Sequence, residues 1–73
     1  MAKKNVDSIY KIVEVIGTST VSWEEAGKNA VLAASKTLRD LRVAEVVKQD
    51  MAIEKGKVIA YRTRMLLSFK YRP

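Results

Sequence analysis

Val58-Ile59-Ala60-Tyr61-Arg62-Thr63-Arg64-Met65-Leu66-Leu67-Ser68-Phe69-Lys70-Tyr71 is the stretch that decides the fold. Every second residue from Ile59 is apolar, aromatic or β-branched, the period-2 pattern of a strand with one buried face. The intervening residues, Val58, Ala60, Arg62, Arg64, Leu66, Ser68 and Lys70, are neither plainly solvent nor plainly core. Extended at ~3.3 Å per residue, the run spans roughly 45 Å. A compact chain of this length has a radius of gyration near ~11 Å. One copy cannot cover such a ribbon, so the sequence predicts an oligomer.

Working outward from it, Leu41 to Ile53 forms a second strand, and Glu54-Lys55-Gly56-Lys57 is the turn that joins the two as a hairpin. Gly56 supplies the left-handed position. Upstream, Ser22-Trp23-Glu24-Glu25 is a capping box that starts a helix ending at Arg39-Asp40. Trp23, Ala26, Gly27, Ala30, Val31, Ala33, Ala34, Leu38 and Leu41 share one face at ~100° per residue. Its small residues let the helix sit close to a sheet, and Gly27 is expected at the closest approach. Leu32 falls on the polar face, where a monomer has no use for it. Ser8 to Ile16 is a first strand, with apolar residues on both sides, broken by Gly17-Thr18-Ser19-Thr20. Residues 1–7 are expected to be a loose arm, with 8–73 as a single domain.

The fold class is therefore α+β, ordered β-α-β-β, a three-stranded antiparallel sheet wrapped round one helix. The long strand sits centrally, antiparallel to both others. Pairing Ile53 with Val58 sets the register. It predicts Ala44, Val46 and Ala52 beneath the helix with Met65, Leu67 and Phe69. Val43, Glu45, Val47, Gln49 and Met51 fall on the open face with Arg62, Arg64 and Leu66. A bulge would shift this parity by one.

Composition narrows the function. The 73 residues hold neither cysteine nor histidine, which removes disulfides, the commonest metal ligand and the usual acid/base side chain. Nothing can be assigned as nucleophile or general base, so no enzyme is expected. Lys and Arg total 14 against 8 acidic residues, net +6, which favours anionic partners or simply solubility. Nucleic acid is not expected, because Tyr61 and Phe69 belong to the helix-covered face. No membrane span or secretory leader is read, and a cytoplasmic location is expected.

Tyr10-Lys11-Ile12-Val13-Glu14, Gly17-Thr18-Ser19, Thr37-Leu38-Arg39-Asp40-Leu41, Ala44-Glu45-Val46-Val47 and Tyr61-Arg62-Thr63, in this order and at this length, resemble the dodecin family. The resemblance implies hollow homododecamers of βαββ units with 23 symmetry, and a non-enzymatic binding and storage role for flavins (FMN or riboflavin). For some bacterial members it also implies coenzyme A. In flavin-binding dodecins a Trp that stacks on the flavin stands where this chain has Val43, and a Gln that bonds its edge stands where it has Arg62. The register puts Val43, Glu45, Arg62 and Arg64 on one open face, the expected cofactor-binding set, with Val43 and Arg62 sharing a pocket. Ser22-Trp23-Glu24, Arg42-Val43-Ala44, Gln49-Asp50-Met51-Ala52 and Ser68-Phe69-Lys70-Tyr71-Arg72-Pro73 resemble a subgroup without the flavin residues, calcium-dodecin-like.

The alternatives come from the charges. Arg62, Arg64, Arg42 and Lys48 could draw an anionic cofactor, or the arginines could pair with Glu45, Asp50 or Glu54 across strands and subunits. Glu14, Glu45, Asp50 or Glu54, gathered from several copies at a symmetry axis, could instead hold calcium. No calcium-loop spacing lies within one chain, so the ligands of such a site are unassigned.

Overall fold

A computed structural model describes residues 8–71. The expected arm at 1–7, and the end of the last motif at 72–73, lie outside them. Strand β1 is Tyr10–Ser19, helix α1 Trp23–Ala34, strand β2 Leu41–Glu54 and strand β3 Lys57–Lys70. The sheet order is β1-β3-β2, and both pairings are antiparallel. The expected architecture is therefore present, with the long strand central.

β3 carries the core because its alternation is real. Thr63, Met65 and Leu67 are buried, while Arg62, Arg64 and Leu66 between them are partly exposed. Across β1, Val13 and Val15 stand opposite Leu67 and Met65 and pack against the core beneath α1. The strand runs on to Ser19 rather than breaking at Gly17, since the absent side chain is needed for packing and not for a turn. A Cβ at Gly17 would collide with the Ala26 carbonyl and lie 2.9 Å from the Ala30 methyl. The close approach expected at Gly27 thus belongs to Gly17. At Gly27 a methyl would be in ordinary contact, 3.5 Å from Met65 Sδ.

The register holds at the turn and again from Val43 to Val46, slips between the two, and slips once more at Arg42, which leaves Leu41 opposite Phe69. Ile53 faces Val58 as expected, and Val46 faces Met65. Between them one extra residue on β3, Ile59, and one on β2, Val47, make two bulges that cancel. Each bulge flips the faces of the residues beyond it. Gln49 and Met51 therefore lie opposite Thr63 and Tyr61 on the helix side, not on the open face, and Ala52 lies opposite Ala60 on the open face, not under the helix. Val47 has no partner in the register. At the hairpin tip Lys55 (φ 51°) and Gly56 (φ 77°) are both left-handed, the requirement of a two-residue turn that matches the sheet twist.

Half of the expected capping box forms. The Glu25 amide donates to Ser22 Oγ at 3.0 Å, while the Ser22 amide turns to Ser19 Oγ at 3.4 Å instead of the Glu25 carboxylate. The helix ends at Ala34, before the expected Arg39. Ser35 Oγ and Thr37 Oγ1 donate to the carbonyls of Leu32 and Ala34, offering the backbone an alternative to another helical turn. Ala33, expected on the buried face, is exposed. At its start the helix is pinned to the sheet: Trp23 Nε1 donates to the Asp50 carbonyl at 2.9 Å, and Thr63 Oγ1 to the Trp23 carbonyl at 2.8 Å. Edge-to-face contact with Tyr61 completes that corner.

Helix α1 packs on β1 and β3 and barely reaches β2. The chain is long and thin, 61 × 20 × 17 Å, with a radius of gyration of 15.7 Å. A compact chain of this length would be near ~11 Å. Ile12, Ile16, Val43, Ile53 and Val58 are each close to half exposed or more.

Candidate functional site

The open face is built in rows across the three strands. Ile12, Ser68 and Val43 form one row; Glu14, Leu66 and Glu45 the next; Ile16, Arg64 and Lys48 a third; Thr18, Arg62 and Asp50 a fourth. Val43, Glu45, Arg62 and Arg64 all lie on it. Within one chain Val43 and Arg62 lie apart. Val43 stands opposite Ser68, and Ser68 is ~20 Å along β3 from Arg62 at ~3.3 Å per residue.

The arginines are engaged. Arg62 grips Asp50 with two hydrogen bonds, Nε to Oδ1 at 2.7 Å and Nη2 to Oδ2 at 2.9 Å. That bond holds the Asp50 carboxyl below its ordinary value, aided by the charges of Arg62, Arg64 and Lys48 and opposed by partial burial. Arg64 reaches Glu14 across the sheet at 3.5 Å. Of the expected partners Asp50 is therefore used, while Arg64 chooses Glu14 because its own β2 neighbour is Lys48. Arg42 pairs weakly with Asp40 at 3.8 Å. Among the described residues Glu45 and Glu54 make no ion pair.

A calcium ion takes six to eight oxygens. Among the described residues no three acidic, Cys or His side chains gather, and two of the four candidate carboxylates, Glu14 and Asp50, are held by arginine. The described residues of one chain do not supply such a site.

Two hollows lie outside the expected set. A groove of about 510 Å³ runs between α1 and β2, walled by Trp23, Val31, Leu32, Val46 and Met65. Leu32 on the polar face is its one visible sign in the sequence; Gln49 joins the lining only because of the bulge at Val47. A second hollow, about 350 Å³, gathers Lys11, Arg39 and Lys70 around Phe69 and Tyr71, with Lys11 Nζ 4.7 Å from the Tyr71 ring centre. Val43 borders only a smaller hollow of about 220 Å³ with Leu41, Arg42 and Leu67. Among the described residues no helix is long and apolar enough to cross a membrane.

The family described as Dodecin matches residues 9–72. The chain belongs to the dodecin family. It is 47% identical over 66 residues to the calcium dodecin of Mycobacterium tuberculosis, covering 90% of this chain and 93% of that one. The crystal structure of that calcium-chelating protein, described as having a novel calcium-binding site, superposes with a TM-score of 0.80 over 90% of this chain and 94% of its own, at 48% identity. The dodecin of Streptomyces coelicolor is similar at a TM-score of 0.88 and 35% identity, over 94% and 99% of the two chains. This dodecin thus carries the family's βαββ fold with Val43 and an arginine–carboxylate fork on its open face.

Proposed function

We propose that this dodecin is a non-enzymatic, homo-oligomeric calcium-binding protein, a hollow dodecamer whose cation sites are completed between copies. The observation that carries the reading is the 47% identity to a calcium dodecin across nine-tenths of the chain. The geometry points the same way. Val43 offers no ring for a flavin to stack on, and Arg62, the residue facing a flavin edge in the family pattern, is committed to Asp50. Glu45 and Glu54 are the candidate carboxylates left unpaired among the described residues, so they are the first choices for ligands shared across a symmetry axis. Calorimetric titration of the purified assembly with calcium tests this. Saturable heat, reduced at least tenfold in affinity by Glu45→Gln or Glu54→Gln, supports it; heat unchanged in both variants removes these ligands, and no heat removes the function.

The second reading is an anionic cofactor of the coenzyme A type, favoured by the hollow where Lys11, Arg39 and Lys70 outnumber the one acidic residue, Asp40. Titration with coenzyme A against a Lys70→Glu variant separates it from the first. A cytoplasmic location accompanies both readings.

A further inference from the structure

The charges of this chain are not spread evenly along its length. Over most of the described molecule six acidic residues (Glu14, Glu24, Glu25, Glu45, Asp50 and Glu54) are matched in number by six basic ones (Lys28, Lys48, Lys55, Lys57, Arg62 and Arg64). That part carries no net charge. The end where β1 begins and β3 finishes holds Lys11, Lys36, Arg39, Arg42 and Lys70 against Asp40. All the net charge of residues 8–71 therefore sits there.

The fold gathers these cations. Lys70 stands opposite Tyr10, and its amide donates to the Asp40 carbonyl, so the start of β1, the loop after α1 and the end of β3 converge. Lys11, Arg39 and Lys70 line the hollow of about 350 Å³, together with Thr37 beside Lys36, while Arg42 follows on β2. Their pairing differs from that of the open face. Arg62 and Arg64 are held by Asp50 and Glu14. Lys36, Arg39 and Lys70 make no ion pair among the described residues, and Arg42 reaches Asp40 only at 3.8 Å. Helix α1 has no basic residue in its last turn, so these cations do not serve its carbonyls. Solubility does not ask for them together either, since gathered like charges repel unless an anion lies among them.

We propose that this end is a docking surface for linear polyphosphate, a chain of phosphates joined by anhydride bonds, held by Lys11, Lys36, Arg39 and Lys70. A lysine is a point charge with rotatable donors and holds a phosphate without fixing its orientation, which suits a ligand whose links are all alike. The cations stand on all three strands, about 10 Å across at ~4.8 Å per strand, a width that consecutive phosphates fill and a single one does not. Nucleic-acid bases would need successive aromatic platforms. Here Lys11 Nζ lies over the Tyr71 ring and Phe69 is partly buried, which leaves Tyr10 by itself. The proposal rests on the anionic-ligand reading of this hollow and goes beyond it: the ligand runs over the whole end instead of seating one cofactor. An oligomer repeats the patch on every copy, so a long chain gains avidity that a short one lacks.

Fluorescence anisotropy of end-labelled polyphosphate of about 100 phosphates, titrated with the full-length protein, tests this. Affinity should fall about tenfold as salt rises from about 50 to about 200 mM. Tripolyphosphate should bind about tenfold more weakly than the long chain, or weaker still. Lys36→Glu/Arg39→Glu should weaken long-chain binding by about tenfold or more, while Lys55→Glu/Lys57→Glu, the same change of charge at the hairpin turn, should leave it within about twofold. All four side chains are exposed, and sedimentation checks that both variants match the parent. Equal losses in the two variants, or no binding by the parent, overturn the proposal. Equal affinity for tripolyphosphate overturns it and gives the hollow to a single small anion; tighter binding of single-stranded RNA with as many phosphates overturns it and gives the patch to nucleic acid. Long-chain binding by a protein that ignores coenzyme A supports it and removes only the cofactor reading.

Discussion

Arg62 and Asp50 are joined across the β2–β3 pair by a two-pronged hydrogen bond, 2.7 and 2.9 Å, on the open face of the sheet. The pair exists because two bulges shift β2 by one residue just where it passes Arg62; without them Gln49 would stand there. With its pKa held below 3.8, the Asp50 carboxylate contributes stability that is fully present above the unfolded value and fades as pH falls through the lower folded value. Asp50→Asn should therefore lower the melting temperature at pH 7, and the difference from the parent should shrink below pH 3.8. Both partners are near 40% exposed, so the effect is modest and weakens in high salt. Thermal melts across that pH range check it.

The two helix-facing glycines should respond oppositely to the same methyl. Gly17→Ala drives a side chain into the Ala26 carbonyl and should cost about 3 kcal/mol. Gly27→Ala meets only ordinary contacts in a helix interior and should stabilise by about 0.5–1 kcal/mol. Urea unfolding at matched protein concentration distinguishes them.

At the hairpin turn, Gly56→Ala forces a Cβ into left-handed backbone and should destabilise by about 1 kcal/mol. Lys55→Asn, a residue that tolerates this conformation, should stabilise by about 0.5 kcal/mol. The same unfolding curves report both.

Flavin should leave the parent protein's titration flat. The Val43→Trp/Arg62→Gln variant, which restores both the stacking ring and the amide, should quench flavin fluorescence where the parent does not. Tight quenching by the parent contradicts the proposed preference for calcium over flavin; silence in both shows that Val43 and Arg62 do not by themselves decide flavin binding.

How far the sequence reveals this molecule depends on the range of the interaction concerned. The alternation through Thr63, Met65 and Leu67, the left-handed Gly56 and the Ser22 cap are local, and each is legible from its neighbours. The bulges at Val47 and Ile59 carry no glycine or proline to mark them, so a continuous register inverts the faces of Gln49, Met51 and Ala52. Which glycine meets the helix is a tertiary fact: Gly17 and Gly27 look alike until α1 is laid on β1 and β3. The helix end is hidden because Ser35 and Thr37 are compatible with a helix until their hydroxyls find carbonyls. The candidate site is half legible. Its four residues do share a face, but the distance between Val43 and Arg62 along β3, and Arg64's choice of Glu14 over the β2 carboxylates, depend on the completed register.

The claim on which the rest depends is that the exposed ribbon is covered by other copies of the chain. Sedimentation velocity at micromolar concentration and neutral pH measures this directly. A single species at about twelve times the 8.2 kDa chain mass is the predicted result; a folded species at 8.2 kDa would contradict it.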